Sequence, residues 1–266
     1  MPVRNPFKHA LAAGQAQIGI WSTLPSPLVT ELIAGSGFDW VLLDTEHTPS
    51  DVPLMVLQLQ AVAAGCRGHT HGVVRPAWND PVLIKRYLDI GAQTLLLPFV
   101  QNADEARAAV AAMRYAPRGI RGMGGSMRAS DFGRDAAYVR DAENELCLLV
   151  QVETAEALEQ IEAIAAVEGV DGIFIGPADL SASMGFPGDA NHPTVRAAID
   201  DAIRRIRAAG KAPGILVVDE ARARECLALG AQFVAVGMDM LLLRQAADGL
   251  AARFRPDASG PVATSY

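Results

Sequence analysis

Lysine is nearly missing from this 266-residue chain, which carries only Lys8, Lys85 and Lys211. Lys8 lies in the N-terminal segment, Lys85 inside a helical pattern and Lys211 just before an apolar strand, so none is expected to offer an amine for Schiff-base chemistry. Cysteine is scarce too. Cys66, Cys147 and Cys226 are widely spaced and form no CxxC pair, which excludes a disulfide framework and suits buried thiols in a reducing compartment. No stretch approaches the roughly 18 uninterrupted apolar residues of a membrane span, and the N-terminal residues lack an apolar run with a cleavage site. A cytoplasmic location is therefore expected. The net charge of −7 gives no general attraction to nucleic acid or to anionic membrane surfaces. GxSxG, P-loop and GxGxxG patterns are all lacking, so neither a nucleotide cofactor nor serine-hydrolase chemistry is expected. Small molecules remain as the expected partners.

What the chain does have is a regular alternation of Val-, Ile- and Leu-rich runs with amphipathic segments. Apolar runs of this kind mark strands buried on both faces of a parallel sheet. Eight strands are predicted: Ile18 to Trp21, Trp40 to Asp44, Gly72 to Arg75, Thr94 to Pro98, Leu146 to Val152, Gly172 to Ile175, Pro213 to Val217 and Phe233 to Val236. Helical spacing or helix-starting chemistry marks Asp51 to Ala64, Pro81 to Ile90, Ala103 to Tyr115, Ala155 to Val167, Pro193 to Ala209 and Asp219 to Leu229. Pro81 and Pro193 suit first turns, and Gly65, Gly91, Gly210 and Gly230 suit left-handed helix ends. Eight strand–helix repeats with no linker predict one (β/α)8 TIM barrel over residues 1–266, with a doubly wound open sheet as the alternative. The irregular stretch from Ala116 to Asp135, containing GIRGMGG, is expected to form a lid or an anion nest. A loosely held tail is expected from about residue 256.

In such a barrel, chemistry sits at the carboxyl ends of the strands. Charged and polar residues follow the apolar runs there: Asp44, Glu46 and His47 after the second, Arg75 at the third, Gln151 and Glu153 at the fifth, Asp179 after the sixth. Glu153 and Asp179 are hard oxygen donors suited to Mg²⁺, Mn²⁺ or Co²⁺, although each also suits a helix N-terminus, Glu153 for the helix after it and Asp179 for the turn Leu180 to Met184. His47 can move protons near neutral pH, with Asp44 expected to orient its ring. His9, His69, His71 and His192 lack such company. Arg75 offers a planar fork for an oxyanion or carboxylate, or for an ion pair with Glu46. With no well-placed lysine, a metal chelating a carbonyl oxygen is the expected electron sink.

At these residues the chain resembles the HpcH/HpaI family of class II 2-oxo-acid aldolases. The resemblance runs through IGIW at Ile18 to Trp21, GFDWVLLDTEH at Gly37 to His47, VVRPAWNDP at Val73 to Pro81, QTLLLPFVQNADEA, QVET, VDGIFIGPADLSASMG, GKAPGIL and FVAVGMD. It implies a divalent metal on Glu153 and Asp179, pyruvate or a related 2-oxo acid as donor, and a short aldehyde as acceptor. It further implies that Arg75 steadies the enolate, that His47 is catalytic with Asp44 as partner, and that Trp21, Gln151, Ala178 and Leu216 line the substrate pocket. A homohexamer, a trimer of dimers exchanging C-terminal helices, is implied as well, with the apolar run Met238 to Leu243 at the exchange. Three departures stand out: Thr45 in place of a glycine, the GCRGHTHG segment, and a shortened RGMGGSMRAS loop. All three are expected to flank the mouth near the acceptor. A CoA-ester lyase of the citramalyl or malyl type and a non-catalytic 2-oxo-acid sensor remain alternatives.

Overall fold

A computed structural model of the chain describes residues 4–255; the expected loose tail from about residue 256 lies outside them. Eight parallel strands, β1 (Gln17–Ser22), β2 (Trp40–Asp44), β3 (His71–Arg75), β4 (Thr94–Leu97), β5 (Cys147–Val152), β6 (Gly172–Ile175), β7 (Ala212–Leu216) and β8 (Phe233–Met238), pair in sequence order. The β1–β8 pairing closes the barrel, so the open-sheet alternative falls. Helices α1 (Pro6–Ala12), α2 (Pro27–Ala34), α3 (Val52–Gly65), α4 (Pro81–Asp89), α5 (Ala103–Met113) and α6 (Tyr138–Asp141) come before β5. After it come α7 (Ala155–Leu158), α8 (Ile161–Ala165), α9 (Pro177–Ser183), α10 (Pro193–Ala208), α11 (Glu220–Ala228) and α12 (Asp239–Phe254).

Alternation along the strands divides the core in two. Trp40 and Leu42, Val73, Leu96, Cys147 and Leu149, Phe174, Phe233 and Ala235 fill the barrel interior. Their neighbours Val41, Leu43, Val74, Leu95, Leu97, Leu148, Val150, Ile173 and Val234 face the helices. Large rings fill space left by glycine. A Cβ on Gly214 would lie 2.0 Å from the Phe233 ring, and one on Gly19 would lie 2.1 Å from Trp40. The lower barrel is thus a packed core with no passage through it.

Capping sets most of the helix starts. Ser26, Asp51, Asp80, Asn102, Thr154 and Asp219 each accept a backbone N–H from the first turn that follows, which satisfies a donor the helix cannot. The helix expected over Ala155 to Val167 is two short helices. Between them the i→i+3 bonds Glu159 N–H to Glu156 O and Gln160 N–H to Ala157 O tighten the chain, which lets Ile161 and Ile164 reach the core fully buried. Gly91, Gly210 and Gly230 take positive φ as expected, but Gly65 does not. Its role is close approach, because a Cβ there would meet the carbonyl oxygen of Glu31 at 2.3 Å, where α2 crosses α3.

The stretch from Ala116 to Asp135 is not a lid over this barrel's mouth. It follows α5 and precedes β5, so it belongs to the amino ends of the strands, opposite the strand-to-helix loops. Buried Arg121 anchors it to Asp89 at 2.8 Å, and Arg128 donates to Ile90 O at 2.7 Å. No helix among the described residues is long and apolar enough to cross a membrane.

Asp239 secures the closing seam. Its carboxylate accepts from Thr23 N–H (2.8 Å) and Oγ1 (2.7 Å), Leu24 N–H (3.1 Å) and Ser22 Oγ (3.2 Å), tying β1 to the end of β8. Asp239→Ala orphans these buried donors. It is expected to lower unfolding stability by about 3 kcal/mol in a denaturant titration, since hydrogen bonds to buried charge are the costly ones to break.

Candidate active site

Inward parity carries past the end of the apolar layers. On β2, Trp40 and Leu42 point inward, so Asp44 does too; on β3 the same count gives Val73 and Arg75, and on β5 Leu149, Gln151 and Glu153. The register pairs Asp44 with Arg75 directly. Residues chosen by three strands therefore meet on one rim.

Arg75 is the centre of this arrangement. Its Nε and Nη2 donate to the two oxygens of Asp44, each at 2.8 Å. Nη1 lies 2.7 Å from Glu46 Oε2 in an ion pair without hydrogen-bond alignment. The guanidinium sits over the buried Trp21 ring, 5.0 Å from its centroid. Burial alone would lower the Arg75 pKa, but the Asp44 hydrogen bonds and the charges of Asp44, Glu46 and Glu153 hold it above its ordinary value. The cation is permanent and fixed. Behind it, Thr45 donates its hydroxyl to Arg75 O at 2.7 Å and accepts from Tyr87 Oη at 2.9 Å.

Glu153 is 2 % exposed and accepts Phe99 N–H at 2.9 Å and the Gln151 side-chain amide. Burial, with the nearby charges of Glu46 and Asp179, raises its pKa to about 7 even though the Gln151 and Phe99 hydrogen bonds pull the other way. Burial likewise raises Glu46, against the pull of Arg75 and with the push of Asp44 and Asp179. Asp179 lies in the first turn of α9, exposed at the mouth beside Ala178. Leu216 packs against the inner cluster from β7.

Two expectations are corrected. Asp44 does not orient His47, because both its oxygens hold Arg75 and one also accepts Glu46 N–H at 3.0 Å. His47 is exposed, with Nε2 3.8 Å from Glu46 Oε2. The departures in sequence are also not all at the mouth. Thr45 is buried behind Arg75, and GCRGHTHG leads into the first residues of β3 at the opposite end, as RGMGGSMRAS lies before β5. A cavity of about 870 Å³ also lies there, between His71, Gln93, Arg128, Phe132 and Glu145. It contains none of the strand-end carboxylates, so the site is assigned by its chemistry and not by cavity size.

A family model described as HpcH/HpaI aldolase/citrate lyase matches residues 17–246. The chain belongs to the HpcH/HpaI aldolase/citrate lyase family. This member is 58% identical over 254 residues to a pyruvate aldolase of Rhizobium etli, covering 96% of this chain and 98% of that one. It is 56% identical over 253 residues to a 4-hydroxy-2-oxo-heptane-1,7-dioate aldolase of Salmonella arizonae, covering 95% of each. A crystal structure of an HpcH/HpaI aldolase/citrate lyase family protein from Burkholderia cenocepacia superposes with a TM-score of 0.90 at 37% identity, covering 94% of this chain and 99% of that one.

Divalent-metal use is general in the HpcH/HpaI family. The donors of this member fit such an ion. Among the described residues no group of three or more His, Cys, Asp or Glu is arranged as a metal cage, but Mg²⁺ and similar ions need only one or two carboxylates and otherwise keep water and substrate oxygens. Glu153 and Asp179 are the carboxylates that would supply such a pair. The buried Gln151 Oε1, which has no protein donor, adds an acceptor beside them.

Two contributors went unread in the sequence. A Cβ on Gly176 would lie 2.5 Å from Glu153 Oε2, so the glycine of GPAD leaves the space that carboxylate occupies. Phe99 takes φ +53, a left-handed conformation costly for an aromatic residue, which aims its N–H at Glu153. The glycine had a readable signal in its place at a strand end. The phenylalanine had none.

Because the folded-state pKa of Glu153 is raised, the group favours folding below about pH 4.5 and the contribution is lost as pH climbs through about 7. In chelator-treated protein, stability is expected to fall by about 3 kcal/mol over that window from this group. Glu153→Gln should flatten the slope in melts run from pH 4.5 to 8. Gly176→Ala should displace the carboxylate and weaken Mn²⁺ binding at least tenfold by calorimetry, since a shifted ligand loses affinity on that scale.

Proposed function

We infer that this chain is a divalent-metal-dependent aldolase, a carbon–carbon lyase that reversibly joins pyruvate or a related 2-oxo acid such as hydroxypyruvate to a short aldehyde. The observation that carries the reading is a fixed guanidinium, Arg75, beside a buried carboxylate, Glu153, at the carboxyl rim of the barrel. The names of the relatives at 56–58% identity support it and favour it over a CoA-ester lyase or a sensor. The lysines support a route without a Schiff base. Lys8 donates to Leu146 O and Lys211 to Val170 O, each at 2.6 Å and each at the amino ends of strands, while Lys85 lies on α4.

In this reading Glu153 and Asp179 hold Mg²⁺, Mn²⁺ or Co²⁺. When bound, the cation polarises the 2-keto group and acidifies the neighbouring methyl protons. Arg75 stands where negative charge develops on the enolate oxygen, and its bonds to Asp44 keep it there without reorganisation. Trp21 and Leu216 wall the donor site, and Gln151 and Ala178 bound its polar edge. His47, exposed beside Glu46, takes the hydroxyl proton when the C–C bond breaks and gives it to the enolate carbon; in the reverse direction it takes a methyl proton and gives it to the aldehyde oxygen. Asp44 acts through Arg75 and not through His47.

The assembly proposed is a hexamer, a trimer of dimers with exchanged C-terminal helices. Only Asp239 of α12 is buried, and Met240, Leu242, Leu243, Leu250 and Phe254 are each about half or more exposed, a face that needs a partner. The chain is read as one barrel unit, and its three free thiols support a cytoplasmic setting.

Pyruvate consumption with an aldehyde should stop on adding EDTA and return with Mg²⁺ or Mn²⁺. Turnover indifferent to chelation would refute the metal assignment. Arg75→Ala is expected to lower kcat by at least about 100-fold, as loss of one aimed donor commonly does. Leu243→Glu should reduce the particle mass measured by light scattering.

A further inference from the structure

At Arg75, β3 leaves the sheet on one side. Its pairing with β4 stops at Val74 and Leu95, and Pro76 has no N–H to give to a neighbour. The Arg75 carbonyl is held from the β2 side instead, and Thr45 holds it twice. The Thr45 backbone N–H reaches Arg75 O at 3.0 Å and its hydroxyl reaches the same oxygen at 2.7 Å. Having given its one proton to that carbonyl, the Thr45 hydroxyl can only accept from Tyr87, whose Oη lies 2.9 Å away. The direction of the chain is thereby fixed: Tyr87 donates to Thr45, and Thr45 donates to Arg75 O. All three residues are buried, so water is not at hand to replace a lost link. Tyr87 otherwise belongs to the apolar core between strands and helices, where a hydroxyl is tolerated only with a partner.

We propose that Tyr87 and Thr45 are positioning residues for the carbon–carbon bond chemistry: their hydroxyl chain fixes the main chain of Arg75 and through it the guanidinium that faces the developing enolate. The inference rests on the aldolase reading. A long side chain is immobile only when both its ends are held. Asp44 holds the far end of Arg75 with two hydrogen bonds, and the hydroxyl chain holds the near end. Neither Tyr87 nor Thr45 touches the substrate, so each acts through the Arg75 peptide. Full negative charge appears on the 2-oxo oxygen only as the enolate forms, so a guanidinium displaced by part of an ångström forfeits more in the transition state than in the complex with pyruvate. Loss of the chain therefore lowers kcat and leaves KM for pyruvate in place.

The test follows deuterium entering the pyruvate methyl group, read by mass spectrometry, with metal-loaded full-length enzyme and rates taken per Mn²⁺ site counted by calorimetry. Thr45→Val removes the hydroxyl and keeps its volume; kcat should fall about tenfold at unchanged KM. Thr45→Ser, which keeps a hydroxyl, should recover most of the lost kcat. Tyr87→Phe should lower kcat as well, and adding it to Thr45→Val should lower kcat no further, because Tyr87 acts through Thr45. The double variant also discards the buried hydroxyl that Thr45→Val leaves without an acceptor, so its melting temperature should rise above that of Thr45→Val while kcat stays low. A pair that only stabilised the fold would show kcat recovering together with the melting temperature. That result, wild-type kcat in Thr45→Val, or a higher KM at unchanged kcat would overturn the proposal. If the wild type exchanges deuterium and the variants match it, the positioning role alone fails; if the wild type exchanges none, the aldolase reading fails with it.

Discussion

A guanidinium that is almost fully buried must be neutralised where it sits, and Arg75 is neutralised by Asp44 from the adjacent strand and Glu46 just beyond it. Removing one partner from such a set leaves an unpaired charge in a poor solvent, which is far more costly than the pair itself is stabilising. The pairing consequently locks the ends of β2 and β3 in register and holds Trp21 beneath the cation. Thr45 and Tyr87 brace the same peptide from behind. The ordering of this corner of the mouth follows from that one requirement.

The opposite side of the rim has the reverse imbalance. Glu153 has hydrogen-bond donors but shares its nearby cation, Arg75, with Asp44 and Glu46, and Glu46 and Asp179 both disfavour its ionisation. A carboxylate in that state is poised to accept a cation, and cation binding would draw its proton off. One site thus presents a permanently paired positive group beside a negative group whose charge depends on a ligand. That asymmetry suits an enolate, which needs both an electron-withdrawing ion and a fixed positive neighbour.

The two ends of the barrel divide the work. Strand-to-helix loops carry the reactive groups, while the amino ends carry the packing of the N-terminal helix: Asn5 donates to Thr94 Oγ1 and His71 bonds the same hydroxyl. Burial lowers the His71 pKa to about 4, so that histidine stays neutral and structural. The glycine-rich stretch from Ala116 to Asp135 belongs to this lower end, and so do two of the three positions where the sequence departs from its family.

Strand positions were legible because a fully buried parallel strand must be written as an apolar run, and observed bounds differ from those read in the sequence by no more than two residues. The rim residues Asp44, Arg75, Gln151 and Glu153 were legible for the same reason, since period-two alternation dictates that they follow the inward-facing residues. Partnership was not. Asp44 is three residues from His47 in the chain, which suggests a pair, but a strand end separates them and the neighbouring strand delivers Arg75 instead. The clearance at Gly176 and the left-handed turn at Phe99 depend on backbone after β6 and β4 approaching the Glu153 side chain at the end of β5, which local pattern cannot encode. Composition and alternation determined the barrel and which residues face its mouth; closure of the sheet alone decided which of them touch, because contact across strands is a property of register and not of spacing along the chain.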